Sequence, residues 1–133
     1  MANIRKRHSS AHYNLPKKKA TNETYIDRVA AFGPRLTEKG LEGRLLPPTN
    51  EEERFGCNPV TPPTENWIAL IERGECSFVD KVRAMQDSGA LGAVVGDKHY
   101  NGWITMYAPG KILYNILYIV FDILIYRKDK YVY

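Results

Sequence analysis

The sequence is poor in cysteine, and this scarcity excludes most metal sites. Cys57 and Cys76 are the only two cysteines among 133 residues, and they do not form a Cys-x-x-Cys pair. Two cysteines are too few for a four-ligand zinc site unless histidines join, so we expect no metal site in this chain.

Catalytic motifs are also missing from the sequence. It contains no Gly-x-Ser-x-Gly elbow and no His-Glu-x-x-His pair. Gly89, Gly92 and Gly96 imitate a phosphate-binding glycine loop, but they run from a predicted helix end into a strand. That order is the reverse of the one that aims backbone amides at a phosphate. We therefore predict that this chain is not an enzyme and has no cofactor.

Acidic residues are absent from the first twenty positions, which hold six Lys or Arg. Residues 21–110 instead hold nine basic and thirteen acidic residues, a net charge of −4. Because the basic charge lies at the ends of the chain, a nucleic-acid partner is not expected. Residues 1–22 also lack apolar periodicity and are predicted to be a disordered basic tail.

The N-terminal segment has no apolar run of the roughly 7–15 residues that a secretory signal needs. The chain is therefore expected either to start in the cytosol or to lack its true beginning. Asn22 opens an Asn-Glu-Thr glycosylation acceptor, which matters only if the chain enters the secretory lumen.

The clearest structural pattern lies in residues 67–96. The run Trp67–Ile71 is apolar and is followed by Gly74, as expected of a strand buried on both faces. A second apolar run, Leu91–Val95, follows a helical stretch. A strand, a helix and a strand within about thirty residues predict a crossover unit with parallel strands, and hence a mixed α/β fold with a small sheet.

The helix of this unit is predicted at Phe78–Ser88, within about two residues. Ser77 is its expected cap, and Gly89 supplies the left-handed residue that ends it. Apolar residues recur along one face at helical spacing, and polar residues are expected on the opposite face. The apolar stripe consists of Phe78, Val82 and Met85, and the polar face of Lys81, Arg83 and Asp87.

Proline is concentrated before the crossover unit. Five of the eight prolines lie between positions 47 and 63, together with the acidic run Glu51–Glu53. This stretch is predicted to be a surface loop. Residues 25–46 alternate short apolar groups with Gly and Pro, which favours short strands joined by turns.

The composition changes after Gly110. Residues 111–133 form an Ile- and Tyr-rich segment without Gly, Pro, Ser or Thr. Within it, residues 112–126 would span roughly 22 Å as a helix, less than the bilayer core of about 30 Å. Three interpretations stay open: a membrane segment, an apolar strand or helix that packs on the domain, and a tail produced by truncation or by a misread gene end.

A longer pattern runs from Ile68 to Asp97, IALIERGECSFVDKVRAMQDSGALGAVVGD. It combines a buried strand, Arg-Gly-x-Cys-x-Phe, a lysine-bearing helix, Gly-Ala and a second hydrophobic strand. Shorter matching stretches are AAFGPRL at 30–36 and GLEGRLL at 40–46. On these motifs, residues 23–110 resemble a protease-associated (PA) domain, most closely the luminal PA domain of membrane-bound RING-type E3 ubiquitin ligases. Sorting receptors and some proteases carry similar modules.

The resemblance implies a small β-sheet or sandwich of the PA type, a location in the endomembrane lumen or membrane, and a non-catalytic role in binding a protein partner or peptide cargo. It also implies a disulfide between Cys57 and Cys76. A RING domain needs eight Cys or His ligands, more than this chain has, so no ligase activity is expected of it. A truncated fragment of a ligase or protease without independent activity remains the alternative. The motif residues given structural roles are Arg73, Gly74, Phe78, Lys81 and Gly89.

A polar aromatic loop follows the second strand at residues 98–103. Its candidate partner-binding residues are His99, Tyr100 and Trp103, because aromatic side chains supply contact area at low entropic cost. The alternative is that Tyr100 and Trp103 cover an edge of the core.

Overall fold

The computed structural model describes residues 2–7, 10–12, 27–35, 38–97, 99, 105–108 and 119–123. These ranges contain seven strands, one α-helix and a short 3-10 helix. The strands are β1 (Ala2–Arg7), β2 (Ser10–His12), β3 (Asp27–Val29), β4 (Leu41–Leu46), β5 (Trp67–Glu72), β6 (Gly92–Gly96) and β7 (Ile119–Ile123). The helix α1 spans Phe78–Asp87, and the 3-10 helix spans Glu51–Glu53.

Within the described ranges, the strands form one sheet in the order β2-β1-β4-β5-β6-β7-β3. The four strands from β4 to β7 are parallel to one another, while β1 pairs antiparallel with β2 and β4, and β3 pairs antiparallel with β7. Register is shown by Ala69, which lies opposite Leu46 on one side and Ala93 on the other. Because β4, β5, β6 and β7 are parallel to one another, their carboxyl ends meet at one edge of the sheet.

The predicted crossover unit is confirmed. β5 and β6 pair in parallel, and α1 lies between them in the chain. Ser77 caps the helix: its hydroxyl accepts a 3.2 Å hydrogen bond from the Asp80 amide and donates one of 2.6 Å to the Asp80 carboxylate. Gly89 follows the helix with a φ of +78°, the left-handed conformation expected of a helix-ending glycine. The fold class is mixed α/β, as predicted.

The hydrophobic core lies between α1 and the sheet. Trp67 and Ile71 of β5 pack there with Val82 and Met85 of α1, and all four are at most 2% exposed. Ile68 is fully buried too but lies outside this cluster, so β5 is covered on both faces, as predicted. At roughly 2 kcal/mol for each large apolar side chain, this burial is the main stabilising contribution of the unit.

The prediction of a polar helix face is wrong for Lys81. This lysine is 0% exposed, whereas Arg83 and Asp87 are exposed as expected. Lys81 stands three residues after Phe78 and four before Met85, so helical geometry places it beside the apolar stripe rather than opposite it.

The N-terminal segment differs from the predicted disordered tail at two places. β1 and β2 pair with each other, Arg5 opposite His12, and β1 also pairs with β4, Asn3 opposite Glu42. Backbone hydrogen bonds to a neighbour can form such strands without apolar periodicity, and outer strands tolerate Lys and Arg. The other residues of 1–22 lie outside the described ranges.

The C-terminal segment contributes a strand. β7 lies between β6 and β3, with Val94 opposite Phe121 and Arg28 opposite Asp122. At these five residues the structure is strand and not helix, in line with their β-branched and aromatic content, and the strand adds to the sheet. The rest of 112–126 lies outside the described ranges. Among the described residues, no helix is long and apolar enough to cross a bilayer.

Candidate functional site at the carboxyl edge of the sheet

Three chain segments meet at the edge where the parallel strands end. They are the proline-rich loop after β4, the turn after β5 that begins at Arg73, and the segment after β6 that begins at Asp97. In open α/β sheets, ligands bind outside the carboxyl ends of the strands. We call this region the carboxyl edge and take it as the candidate functional site.

A groove of about 390 Å³ opens beside the end of β4. Its walls combine prolines and other apolar groups with one acidic and one basic residue. The lining residues are Leu46, Pro47, Pro48, Thr49, Glu51, Arg54 and Pro63. The sequence predicted a surface loop here but not a groove, because proline content indicates a loop without indicating how it folds back on the strand.

Arg54 connects the groove to the end of β5. Its Nε lies 3.5 Å from a carboxylate oxygen of Glu72, and its Nη1 donates a 3.2 Å hydrogen bond to the carbonyl oxygen of Glu51. The guanidinium carbon stands 4.3 Å from the centre of the Phe55 ring. The backbone adds a 2.8 Å bond from the Glu72 amide to the Arg54 carbonyl. These contacts position one wall of the groove against the sheet.

Arg73 and Asp97 join the ends of β5 and β6. Their side chains form an ion pair at 3.0 Å, and the Arg73 amide donates a 2.9 Å hydrogen bond to the Gly96 carbonyl. The other carboxylate oxygen of Asp97 accepts a 2.8 Å bond from the His99 amide. Arg73, to which the resemblance assigned a structural role, therefore lies where the loop after β6 begins.

A disulfide joins Cys57 and Cys76, with 5.8 Å between their Cα atoms, as the resemblance implied. It connects the loop before β5 to the turn after β5. The bridge closes a chain segment that contains the whole of β5, which places both loops at the same edge of the sheet.

Lys81 reinforces this connection from the helix. Its Nζ donates hydrogen bonds of 2.5 Å to the Phe55 carbonyl and 2.6 Å to the Gly74 carbonyl, one in each loop. The same Nζ lies 3.8 Å from Cys57 Sγ. Burial lowers the pKa of Lys81 from 10.5 to about 8, against the opposing influence of Glu75 and Glu72.

We call this arrangement the disulfide clamp; its members are Phe55, Cys57, Gly74, Cys76 and Lys81. Sequence reasoning grouped the cysteines through the resemblance but did not connect them with Lys81. The signal that could have found the connection is the helical spacing of Lys81 from Phe78 and Met85, since a lysine on an apolar face must find acceptors.

Gly74 and Phe78 complete the turn into α1. Gly74 has a φ of +121°, a conformation that favours glycine, and a Cβ there would stand 3.4 Å from the Phe55 ring. Phe78 is partly buried and packs against the core cluster.

The candidate partner-binding residues are only partly described. His99 is exposed at the carboxyl edge, while Tyr100, Trp103 and the glycosylation candidate Asn22 lie outside the described residues. Tyr107 is 69% exposed, an aromatic side chain that sequence reasoning did not select. No group of three or more His, Cys, Asp or Glu within the described ranges is arranged to hold a metal ion.

The family relationship follows from comparison with known proteins. The sequence-family model of the PA domain matches residues 41–115, which is more than half of the chain. This chain therefore belongs to the PA-domain family.

Similar proteins include three E3 ubiquitin-protein ligases. RNF133 of Homo sapiens is 33% identical over 75 residues, which cover 53% of this chain and 20% of the relative. RNF13 of Bos taurus is 33% identical over 91 residues, which cover 64% of this chain and 23% of the relative. Godzilla of Drosophila melanogaster is 32% identical over 91 residues, which cover 61% of this chain and 17% of the relative. The chain therefore spans about a fifth of the length of these relatives.

Proposed function

We propose that this chain is the partner-recognition module of a membrane-bound RING-type E3 ligase of the endomembrane system. The kinship with E3 ligases supports the parent class, and the match to the PA family supports a role in binding rather than in ubiquitin transfer. The observation that carries the binding role is the groove at the carboxyl edge.

The occupant we propose is an extended protein segment with apolar side chains and one carboxylate. Three prolines stiffen the groove walls, so little conformational entropy is lost on binding. Apolar walls with a few polar groups are typical of a binding site. Arg54 is the basic residue of the groove lining, and a ligand carboxylate would pair with its guanidinium group.

The loop at 98–103 is proposed as a second contact surface. It follows β6 and therefore starts at the same edge as the groove, and its first part is held by the bond between the His99 amide and Asp97. His99, Tyr100 and Trp103 remain its candidate residues. Both surfaces would contact the same partner at the carboxyl edge.

The groove is tested by selecting phage-displayed random peptides on the immobilised 133-residue chain and measuring their affinity by fluorescence anisotropy. Arg54→Gln should weaken binding about tenfold, since a hydrogen bond to a charged group contributes about 1.5 kcal/mol or more. Arg83→Gln, which alters an exposed arginine of α1, is the matched control and should leave affinity unchanged. If no peptide is enriched, or if both variants bind equally well, the groove proposal fails.

The loop is tested with the double variant Tyr100→Ala and Trp103→Ala. Weaker peptide binding with an unchanged melting temperature would support a contact role. A lower melting temperature would instead indicate that the two aromatic side chains cover the core. If peptide affinity and melting temperature are both unchanged, the loop does not belong to the proposed binding site.

The endomembrane location has a separate test. Translation of the chain with microsomes should give a glycan that disappears in Asn22→Gln, because only a luminal segment meets the glycosylation machinery. An unglycosylated product would mean that this chain does not itself enter the lumen.

A further inference from the structure

The disulfide has different electrostatic surroundings at its two ends. Lys81 Nζ stands 3.8 Å from Cys57 Sγ. The carbonyl oxygens of Phe55 and Gly74, which both accept hydrogen bonds from this ammonium group, lie 3.9 Å from the same sulfur. No cation among the described residues makes a corresponding contact with Cys76 Sγ. The bond therefore joins one sulfur beside a buried positive charge to one without such a neighbour.

We propose that this disulfide is a thiol-exchange site with a fixed direction, in which a small-molecule thiol such as glutathione attaches to Cys76 and releases Cys57. The attacking thiol first loses its proton to solvent. Its thiolate then forms a bond with Cys76 Sγ while the bond between the two cysteines breaks, and the electron pair of that bond stays on Cys57 Sγ. The number of disulfide bonds is unchanged, so the step needs no oxidant or reductant.

The direction follows from the stability of the leaving group. In thiol–disulfide exchange, the sulfur with the lower thiol pKa leaves faster. A neighbouring ammonium group lowers the pKa of a cysteine thiol, and it acts more strongly in a partly buried site than in water. Cys57 is therefore the better leaving group, and attack is directed to Cys76. Cys76 and Cys57 are both partly buried, so the direction of attack rests on the leaving group and not on access.

Lys81 also determines what happens to the fold after exchange. Its hydrogen bonds to Phe55 and Gly74 connect the two loops independently of the sulfur bond. With the Cys57 thiolate as a third partner, Lys81 should hold the loops together while Cys76 carries the added thiol. The carboxyl edge would thus be modified covalently without unfolding. This inference does not depend on the proposed ligase role.

The test maps the site of attachment. The intact chain is incubated with reduced glutathione at about pH 7, quenched with acid, blocked with N-ethylmaleimide and digested with trypsin. Cleavage after Arg54, Arg73 and Lys81 places the two cysteines in different peptides. Mass spectrometry should find glutathione on Cys76 about tenfold more often than on Cys57, with N-ethylmaleimide on Cys57. Equal amounts on both cysteines, or a preference for Cys57, would overturn the proposal.

Lys81→Met should abolish the preference, and Arg83→Met, on the same helix but exposed, should preserve it. The wild-type chain provides a second measurement should Lys81→Met not fold. Between about pH 7 and about pH 10 the preference for Cys76 should decline as Lys81 loses its proton; the charged side chains around Lys81 are those of Glu72, Glu75 and Arg54. In guanidinium chloride the two cysteines should react equally. A preference that persists without the Lys81 charge, or in the unfolded chain, would refute the role of Lys81.

Discussion

The strands β5 and β6 of the crossover unit belong to the same sheet as the outer strands β1, β2, β3 and β7. The strand register of these two regions is specified in different ways. In the crossover unit, Trp67 and Ile71 face the core, and a one-residue slip of β5 would move them to the opposite face. In the outer strands, register is seen as backbone pairing, as between Asn3 and Glu42 or between Arg28 and Asp122. Side-chain burial thus specifies the first region strongly, and we expect most of the stability to reside there.

The largest loss of stability is expected from Val82→Asp, in the centre of the crossover unit. Val82 is 0% exposed, and an unpaired carboxylate buried there costs several kcal/mol, a large part of the stability of a small domain. The cooperative thermal transition followed by circular dichroism should disappear. Arg83→Asp, one residue further along the helix and exposed, should keep that transition. An unchanged melting temperature for Val82→Asp would contradict the packing of α1 on the sheet.

Removing the disulfide should cause the next largest loss in the free energy of unfolding. Replacing Cys57 and Cys76 together by Ala releases a loop with a sequence separation of 19 residues and should lower the free energy of unfolding by about 3 kcal/mol. Urea unfolding of the oxidised wild type and the double variant measures the difference. Because Lys81 still joins the two loops, the variant should unfold in one transition. Equal midpoints would show that the bridge does not constrain the unfolded chain.

Lys81→Met tests the buried cation of the clamp. The variant leaves the Phe55 and Gly74 carbonyls without their donor, so we expect a loss of about 2 kcal/mol at neutral pH. Arg83→Met is the exposed control and should lose much less. Equal stability of the two variants would indicate that the carbonyls find another donor.

The pH dependence of stability gives an independent measure of the same lysine. The folded pKa of about 8 lies below the value of 10.5 for a free lysine, so between these values the unfolded chain binds more protons. Stability should therefore rise with pH across this window, by at most about 3 kcal/mol, whereas below about pH 8 the penalty of burying the charge is fully present. The rise should be missing in Lys81→Met. A parallel pH profile for wild type and variant would refute the lowered pKa.

The smallest loss of stability is expected from a substitution in the outer strands. Asn3→Pro removes a backbone amide from β1 opposite Glu42 of β4, and the loss of one backbone hydrogen bond should lower the free energy of unfolding by about 1 kcal/mol. Hydrogen exchange should become faster at the facing residues 41–43 of β4 and stay unchanged in β6. Faster exchange throughout β6 would mean that the two regions unfold as one unit and that the contrast between them is incorrect.

Particular residues show how far sequence reasoning reached. The bounds of α1, its cap at Ser77 and its final glycine were predictable, because these signals lie within a few residues of one another. The pairing of Cys57 with Cys76 came from family resemblance. The placement of Lys81 was missed because its charge was given more weight than its helical spacing. For the groove at Arg54 no local signal existed, since its walls come from the end of β4 and from separate parts of the proline-rich loop.

The sequence by itself determined the crossover unit and membership of the PA family, because apolar periodicity, caps and a contiguous motif are properties of neighbouring residues. Only the tertiary structure decided that Lys81 lies beside Cys57, that the basic N-terminal segment pairs with β4, and that β7 continues the sheet. These features depend on contacts between residues far apart in the chain. Almost any residue type can form backbone hydrogen bonds or offer a backbone carbonyl as an acceptor. Contacts of this kind therefore leave no periodic pattern in the sequence.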